Sequence, residues 1–143
     1  MNRTPMEVTI RQLVEAAGLA AEFESCRAAG ESFHLSIENA PYMRLVVEIV
    51  APGEVSIAHY YSQNGDAMRD PEIVFNAQWL PVEITQDPVG IYRRADAGYY
   101  LRGVQELARM WATNIRSQGF AKRGTFASAT HTVRTAAPMK MAA

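Results

Sequence analysis

Apolar positions along this chain change their spacing twice, from helical to alternating near residue 33 and back to helical near residue 100. In the first stretch Ile10, Leu13, Val14 and Ala17 fall on one helical face. Two capping boxes compete for its start, T-P-M-E at residues 4–7 and T-I-R-Q at residues 9–12. The second suits the apolar spacing better, so Thr9 is the expected cap. Gly18 is placed to end or interrupt this helix, and residues 19–29 continue helically up to Gly30. Cys26 in that segment reads as a small packing residue, because no His or Cys neighbour suggests metal or nucleophile chemistry.

From Phe33 the period becomes two. Phe33, Leu35 and Ile37 alternate with His34, Ser36 and Glu38, as in a half-buried strand. After the turn residues Asn39, Ala40 and Pro41, residues 43–50 are apolar on both faces near their end, which suggests a central strand. Pro52-Gly53 closes a hairpin into a strand at 54–61, where Val55, Ile57, His59 and Tyr61 share a face. His59 therefore reads as a histidine at the edge of the core rather than a catalytic one. Residues 62–72, S-Q-N-G-D-A-M-R-D-P-E, read as an ordered polar connection, followed by a strand at 73–79 and a resumed one at 82–85. Residues 86–90 are a loop and Ile91-Tyr92 a short extended piece. Pro81 and Pro88 mark edge or bent strands, because proline has no N–H to give to a ladder.

The helical spacing returns with Leu101, Val104, Leu107, Ala108, Trp111 and Ile115, which predict a helix ending near Gly119 with Trp111 as a core anchor. From Phe120 onward the pattern dissolves. The expected fold is α+β: an antiparallel meander of four to five strands, with an N-terminal helix and a long C-terminal helix packed on one face. Residues 1–118 form its single domain, and 119–143 a basic, disordered tail.

Composition adjusts this picture little. The 143 residues are 48% hydrophobic and 20% charged, which fits one globular domain with a core of its own. One cysteine excludes an internal disulfide and cannot bind zinc alone. The start lacks the apolar stretch of a signal peptide, and no run approaches the ~20 apolar residues of a membrane span, so cytoplasmic location is the expectation. Charge is more informative. Residues 1–96 hold 14 of the 15 acidic groups and 7 of the 14 basic ones, a net −7, whereas residues 97–143 carry +6. Arg102, Arg109 and Arg116 recur every seven residues on the last helix, and Lys122, Arg123, Arg134 and Lys140 extend the charge beyond it. A solvated helix with a basic tail explains this. The alternative is a nucleic-acid contact through Arg102, Arg109, Arg116, Lys122 and Arg123, although no nucleic-acid-binding motif is present.

Candidate chemistry concentrates in residues 62–72. Asp66, Asp70 and Glu72 give the spacing D-x3-D-x-E, and converging carboxylates can hold a hard cation. With His59 as a base, a metal-dependent hydrolase is the second alternative. Turn chemistry explains the same residues: Asn64-Gly65 supplies positive φ, Asp66 and Asp70 can accept backbone N–H bonds, and Pro71 keeps Asp70 extended. No phosphate loop, dinucleotide fingerprint, nucleophile elbow or H-E-x-x-H motif occurs. No catalytic residue and no cofactor is expected. A non-enzymatic protein is the preferred reading, with Gln63, Asn64, Asp66, Arg69, Asp70 and Glu72 as a protein-binding surface.

The stretch H-Y-Y-S-Q-N-G-D-A-M-R-D-P-E at residues 59–72 resembles the Q-N-G-D-x-M-x-D-P-E signature of an uncharacterised domain family of plasmids, phages and conjugative elements. Y-M-R-L-V-V-E at 42–48 and Q-D-P-V-G-I-Y at 86–92 resemble its flanking motifs, and the resemblance spans roughly residues 9 to 115. It implies a mobile-element setting and action in the bacterial cytoplasm, where modulation of a host defence or regulatory system would fit. It implies no reaction. Arg93-Arg94 replaces the more aromatic or acidic end that the resemblance leads one to expect there.

Overall fold

The computed structural model describes residues 2–128 and the backbone of residues 132–135. Helix α1 (Pro5–Ala16) starts earlier than the apolar spacing suggests. Thr4, not Thr9, is its cap: Thr4 Oγ1 accepts the Glu7 N–H at 3.1 Å, and Pro5 occupies the first turn, where its missing N–H costs nothing. Thr9 lies inside the helix, its hydroxyl donating to the Pro5 carbonyl at 2.9 Å. Helix α2 (Ala20–Ala29) ends at Gly30, whose φ of 71° is the left-handed closure a glycine makes without strain.

Among the described residues eight strands follow: β1 (Phe33–Glu38), β2 (Arg44–Ala51), β3 (Glu54–Gln63), β4 (Asp66–Phe75), β5 (Pro81–Gln86), β6 (Ile91–Arg94), β7 (Thr125–Ser128) and β8 (Thr132–Thr135). They form one sheet in the order β6-β5-β4-β3-β2-β1-β7-β8, antiparallel throughout. The first six make the expected meander. The chain then runs through α3 (Gln105–Ser117) and the single turn α4 (Phe120–Arg123), and returns to the far edge as β7 against β1. The α+β class and the antiparallel sheet agree with the sequence reading, but the strand count exceeds four to five.

The helices cover one face. Met6, Ile10, Leu13 and Val14 of α1 and Ala108, Trp111 and Ile115 of α3 share a core with Leu35, Leu45, Val47, Ile57 and Ile73 of the sheet. Burial of the Met, Ile, Leu and Val side chains among these contributes roughly 1.5–3 kcal/mol each. The strands show their other faces to a helix-free side. There Val46, Ser56, Ala58, Glu72, Val74 and Thr85 are buried, although none belongs to the helix-side core.

Three expectations need correction. Residues 62–72 are not a connection but the two arms of a hairpin, β3 and β4, joined by Asn64 and Gly65. Residues 120–128 are not tail: Phe120 and Phe126 are fully buried, and the β1–β7 register sets Phe126 opposite Ile37. Leu107, expected in the apolar stripe of α3, is 36% exposed, because the stripe facing the sheet is carried by Val104, Ala108, Trp111, Ala112 and Ile115. The remainder of the expected tail, residues 129–131 and 136–143, lies outside the described residues.

Candidate functional site

The β3–β4 hairpin is the longest strand pair in the register and is closed by the tightest possible loop. Asn64 at φ 54° and Gly65 at φ 87° give the double left-handed turn whose twist matches that of the flanking strands. The hairpin also outreaches its neighbours. β2 pairs with β3 only as far as Tyr60, and β5 pairs with β4 only from Glu72 onward. Residues 61–63 and 66–68 therefore pair with each other and with no further strand. They form an arm beyond the sheet, with Gln63, Asn64 and Asp66 exposed at its tip.

At the base of the arm the register shifts between Ala58 and Tyr60, so that Asp70 and Pro71 bulge opposite His59 while Arg69 and Glu72 both come to the helix-free face. Glu72 is 7% exposed there. Its carboxylate accepts the Ser56 hydroxyl at 2.6 Å and the Arg69 guanidinium at 3.1 Å. Arg69 turns to Asp87 as well, which accepts the Arg69 backbone N–H at 2.8 Å and its Nε–H at 3.1 Å. These bonds hold the Asp87 carboxyl below its ordinary range, the backbone N–H being the largest cause, and those to Asp87 lead in raising the Arg69 guanidinium. The signature stretch and the Q-D-P-V-G-I-Y stretch thus meet through Arg69 and Asp87. Tyr60 completes this base: the Arg44 guanidinium lies 5.5 Å from its ring, and burial raises its phenol.

This geometry corrects the metal reading. Asp66 sits at the exposed tip opposite Gln63, Asp70 lies in the bulge, and Glu72 is on the opposite side of the sheet from the helices, held by Ser56 and Arg69. The three carboxylates do not converge. Among the described residues no group of three or more His, Cys, Asp and Glu side chains is placed to hold a metal ion. His59 faces the helices, its ring 5.5 Å from that of Trp111 and 5.6 Å from that of Phe120, with Nδ1 3.4 Å from the Arg44 carbonyl. Burial pushes its pKa down, against smaller opposing contributions from the Arg44 and Met43 carbonyls and then from Asp70. Its place at the edge of the core is the one expected.

The arginines divide likewise. Arg102, Arg109, Arg116, Lys122 and Arg123 are all exposed. Arg109 is paired with Glu106, Arg116 Nε donates to the Ala112 carbonyl at 3.5 Å, and Arg123 donates to the Gln118 carbonyl at 2.9 Å. The side chains of Arg134 and Lys140 lie outside the described residues. Arg94 bridges Glu54 at 2.7 Å and Glu83 at 3.2 Å, which raises its guanidinium, while Arg93 stays exposed on the edge strand β6. Ser56 and Asp87 were invisible as site residues in the sequence. Alternation along 54–61 placed Ser56 on the face opposite His59, but nothing local joined it to Glu72, sixteen residues on.

Fold and site together define a protein with a one-sided α+β architecture, an ion-paired sheet face and a projecting hairpin. The chain belongs to the family described as Domain of unknown function (DUF6908), which matches residues 8–121. Neither curated proteins nor solved structures gave a match. Among the described residues no helix is long and apolar enough to cross a membrane.

Proposed function

We propose that this chain is a non-enzymatic accessory protein of a mobile genetic element, such as a plasmid or phage, acting in the bacterial cytoplasm by binding another protein through the β3–β4 arm. The observation that carries this reading is the arm itself. Residues 61–68 make no contribution to the helix-side core, yet a tight turn and a polar lattice at Arg69, Glu72 and Asp87 hold them in place. Strand residues with free outer edges are the elements that pair with another chain. The face behind the arm favours a protein over a nucleic acid. Glu48, Glu54, Glu72, Glu83 and Asp87 outnumber Arg44, Arg69 and Arg94 there, and such a face repels phosphates. A partner in a host defence or regulatory system suits the mobile-element setting. Of the six residues first assigned to binding, Gln63, Asn64 and Asp66 make the contact, while Arg69, Asp70 and Glu72 set the arm's direction.

The test is a tagged pull-down from bacterial lysate with and without nuclease, run beside the Gln63→Arg, Asp66→Arg double variant. A discrete protein that survives nuclease and is lost with the variant is expected. Material removed by nuclease or modest salt, and retained by the variant, would move the contact to Arg102, Arg116 and Lys122.

A further inference from the structure

Strand β6 ends the sheet: it pairs with β5 and, among the described residues, has no neighbour on its outer side. The register fixes which of its backbone groups face outward. The Ala95 N–H donates to the Val82 carbonyl at 2.9 Å, and Arg93 and Ile91 pair with Ile84 and Gln86. Hydrogen-bonded pairs alternate along an antiparallel ladder, so Ile91 and Arg93 bond inward to β5. The N–H and C=O groups of Tyr92 and Arg94 therefore point away from the sheet. The usual guards of such an edge are a proline, a bulge or several charges. Between Ile91 and Arg94 there is no proline, and the register with β5 is unbroken. Arg94 is already held by Glu54 and Glu83, whereas Arg93 has no carboxylate partner among the described residues. Large apolar side chains gather at the same edge. Val89, Ile91 and Tyr92 are 67%, 39% and 62% exposed, and Tyr99, 72% exposed, lines the same hollow as Arg94.

We infer that β6 is the seam of a two-fold homodimer, in which the β6 strands of two copies pair antiparallel and join their sheets into one. The argument for a second copy is that the strand is complementary to itself in a single register. Only Tyr92 and Arg94 offer outward groups, so the two-fold axis can pass through Tyr92, Arg93 or Arg94. An axis through either arginine sets it directly against its own counterpart, which is destabilising. An axis through Tyr92 sets no charge against a like charge. Tyr92 then pairs with Tyr92 of the second copy, and Ile91 of each copy lies opposite Arg93 of the other. The one uncompensated guanidinium of the strand thereby lays its stem over an apolar side chain. A seam built on a four-residue strand belongs with the small, transient interfaces, so the expected Kd is roughly 10–500 µM. The inference is independent of the hairpin arm and does not rest on the reading given for it.

Sedimentation of the full chain between about 10 µM and 1 mM tests it, and a passage from monomer to dimer across that range is expected. Ile91→Glu sets a carboxylate against Arg93 of the other copy at two symmetry-related places and should tighten the dimer about tenfold. Ile91→Arg sets like charges there and should weaken it about tenfold. A chain that stays monomeric at about 1 mM overturns the inference, as does a dimer on which the two substitutions act alike. Cysteine pairs read the register in a Cys26→Ala background. Tyr92→Cys should form an intermolecular disulfide, because directly paired Cα atoms lie about 5.5 Å apart. Arg93→Cys should not, because its counterpart is two residues out of step, at about 8 Å. Faster crosslinking through position 93 than through position 92 would refute the axis at Tyr92.

Discussion

Replacing Arg69 by Met tests whether the charged residues of the signature stretch are structural. The Glu72 side chain is 9% exposed and accepts hydrogen bonds from the Ser56 hydroxyl and the Arg69 guanidinium. Removing one partner of a fully buried ion pair costs about 3–5 kcal/mol, because the remaining charge is left uncompensated. An exposed pair contributes about 0.2–1 kcal/mol. Arg69 is 39% exposed, so water already screens part of the interaction, and the expected cost lies between these limits at about 2 kcal/mol. The bond from the Arg69 backbone N–H to Asp87 survives the substitution and limits the loss on that side. Glu72→Gln keeps the shape and can still accept from Ser56 while removing the charge, so it should cost about 1 kcal/mol. Urea unfolding of the two single variants and the double one gives the coupling directly. A coupling of about 1 kcal/mol or more is expected. If Arg69→Met costs under about 0.5 kcal/mol, or the two substitutions add, the lattice does not hold the arm.

Three further outcomes follow from the structure. Gly65→Ala should destabilise by about 1 kcal/mol through backbone strain alone, since a Cβ there meets nothing within 4 Å while φ is +87°; an unchanged denaturation midpoint would contradict the left-handed turn. Gly124→Ala should lower stability by about 2 kcal/mol or more, because its Cβ would lie 2.5 Å from both Ile37 Cγ2 and the Phe120 carbonyl oxygen. An unaltered melting temperature together with fast amide exchange at Phe126 would show that β7 is not bound to β1. His59, whose folded pKa lies below the ordinary 6.5, binds its proton more readily in the unfolded chain. Its contribution is therefore intact above pH 6.5 and is lost as pH falls from there towards the folded value; His59→Phe should flatten stability in that window, and an identical slope in the variant would refute the assignment.

The parts of the fold legible in the sequence are those whose burial is one-sided and local. Phe33, Leu35 and Ile37 alternate because β1 has helices on one face, and Ala108, Trp111 and Ile115 recur helically because α3 lies on the sheet. The arm was hidden for the opposite reason. Residues 66–71 extend past β5, so no core demands alternation of them, and the bulge at Asp70-Pro71 breaks the period at the arm's base. Strand β7 has four residues, with Phe126 its one large apolar side chain, too short a run for any period to register. It is specified by pairing with β1 and by the close approach of Gly124 to Ile37, both nonlocal. In the candidate site, the turn at Asn64-Gly65 and the edge-of-core place of His59 could be read from residue types. The bond from Arg69 to Asp87 could not, since eighteen residues and a whole strand separate them.

The most direct measurement is site-specific photo-crosslinking in living bacteria, with a photoreactive amino acid placed either at Gln63 on the hairpin tip or at Arg116 on α3, both exposed. Binding through the arm predicts a discrete protein adduct from position 63, resistant to nuclease and missing from position 116. Adducts from position 116 alone, or nuclease-sensitive adducts from either site, would contradict it.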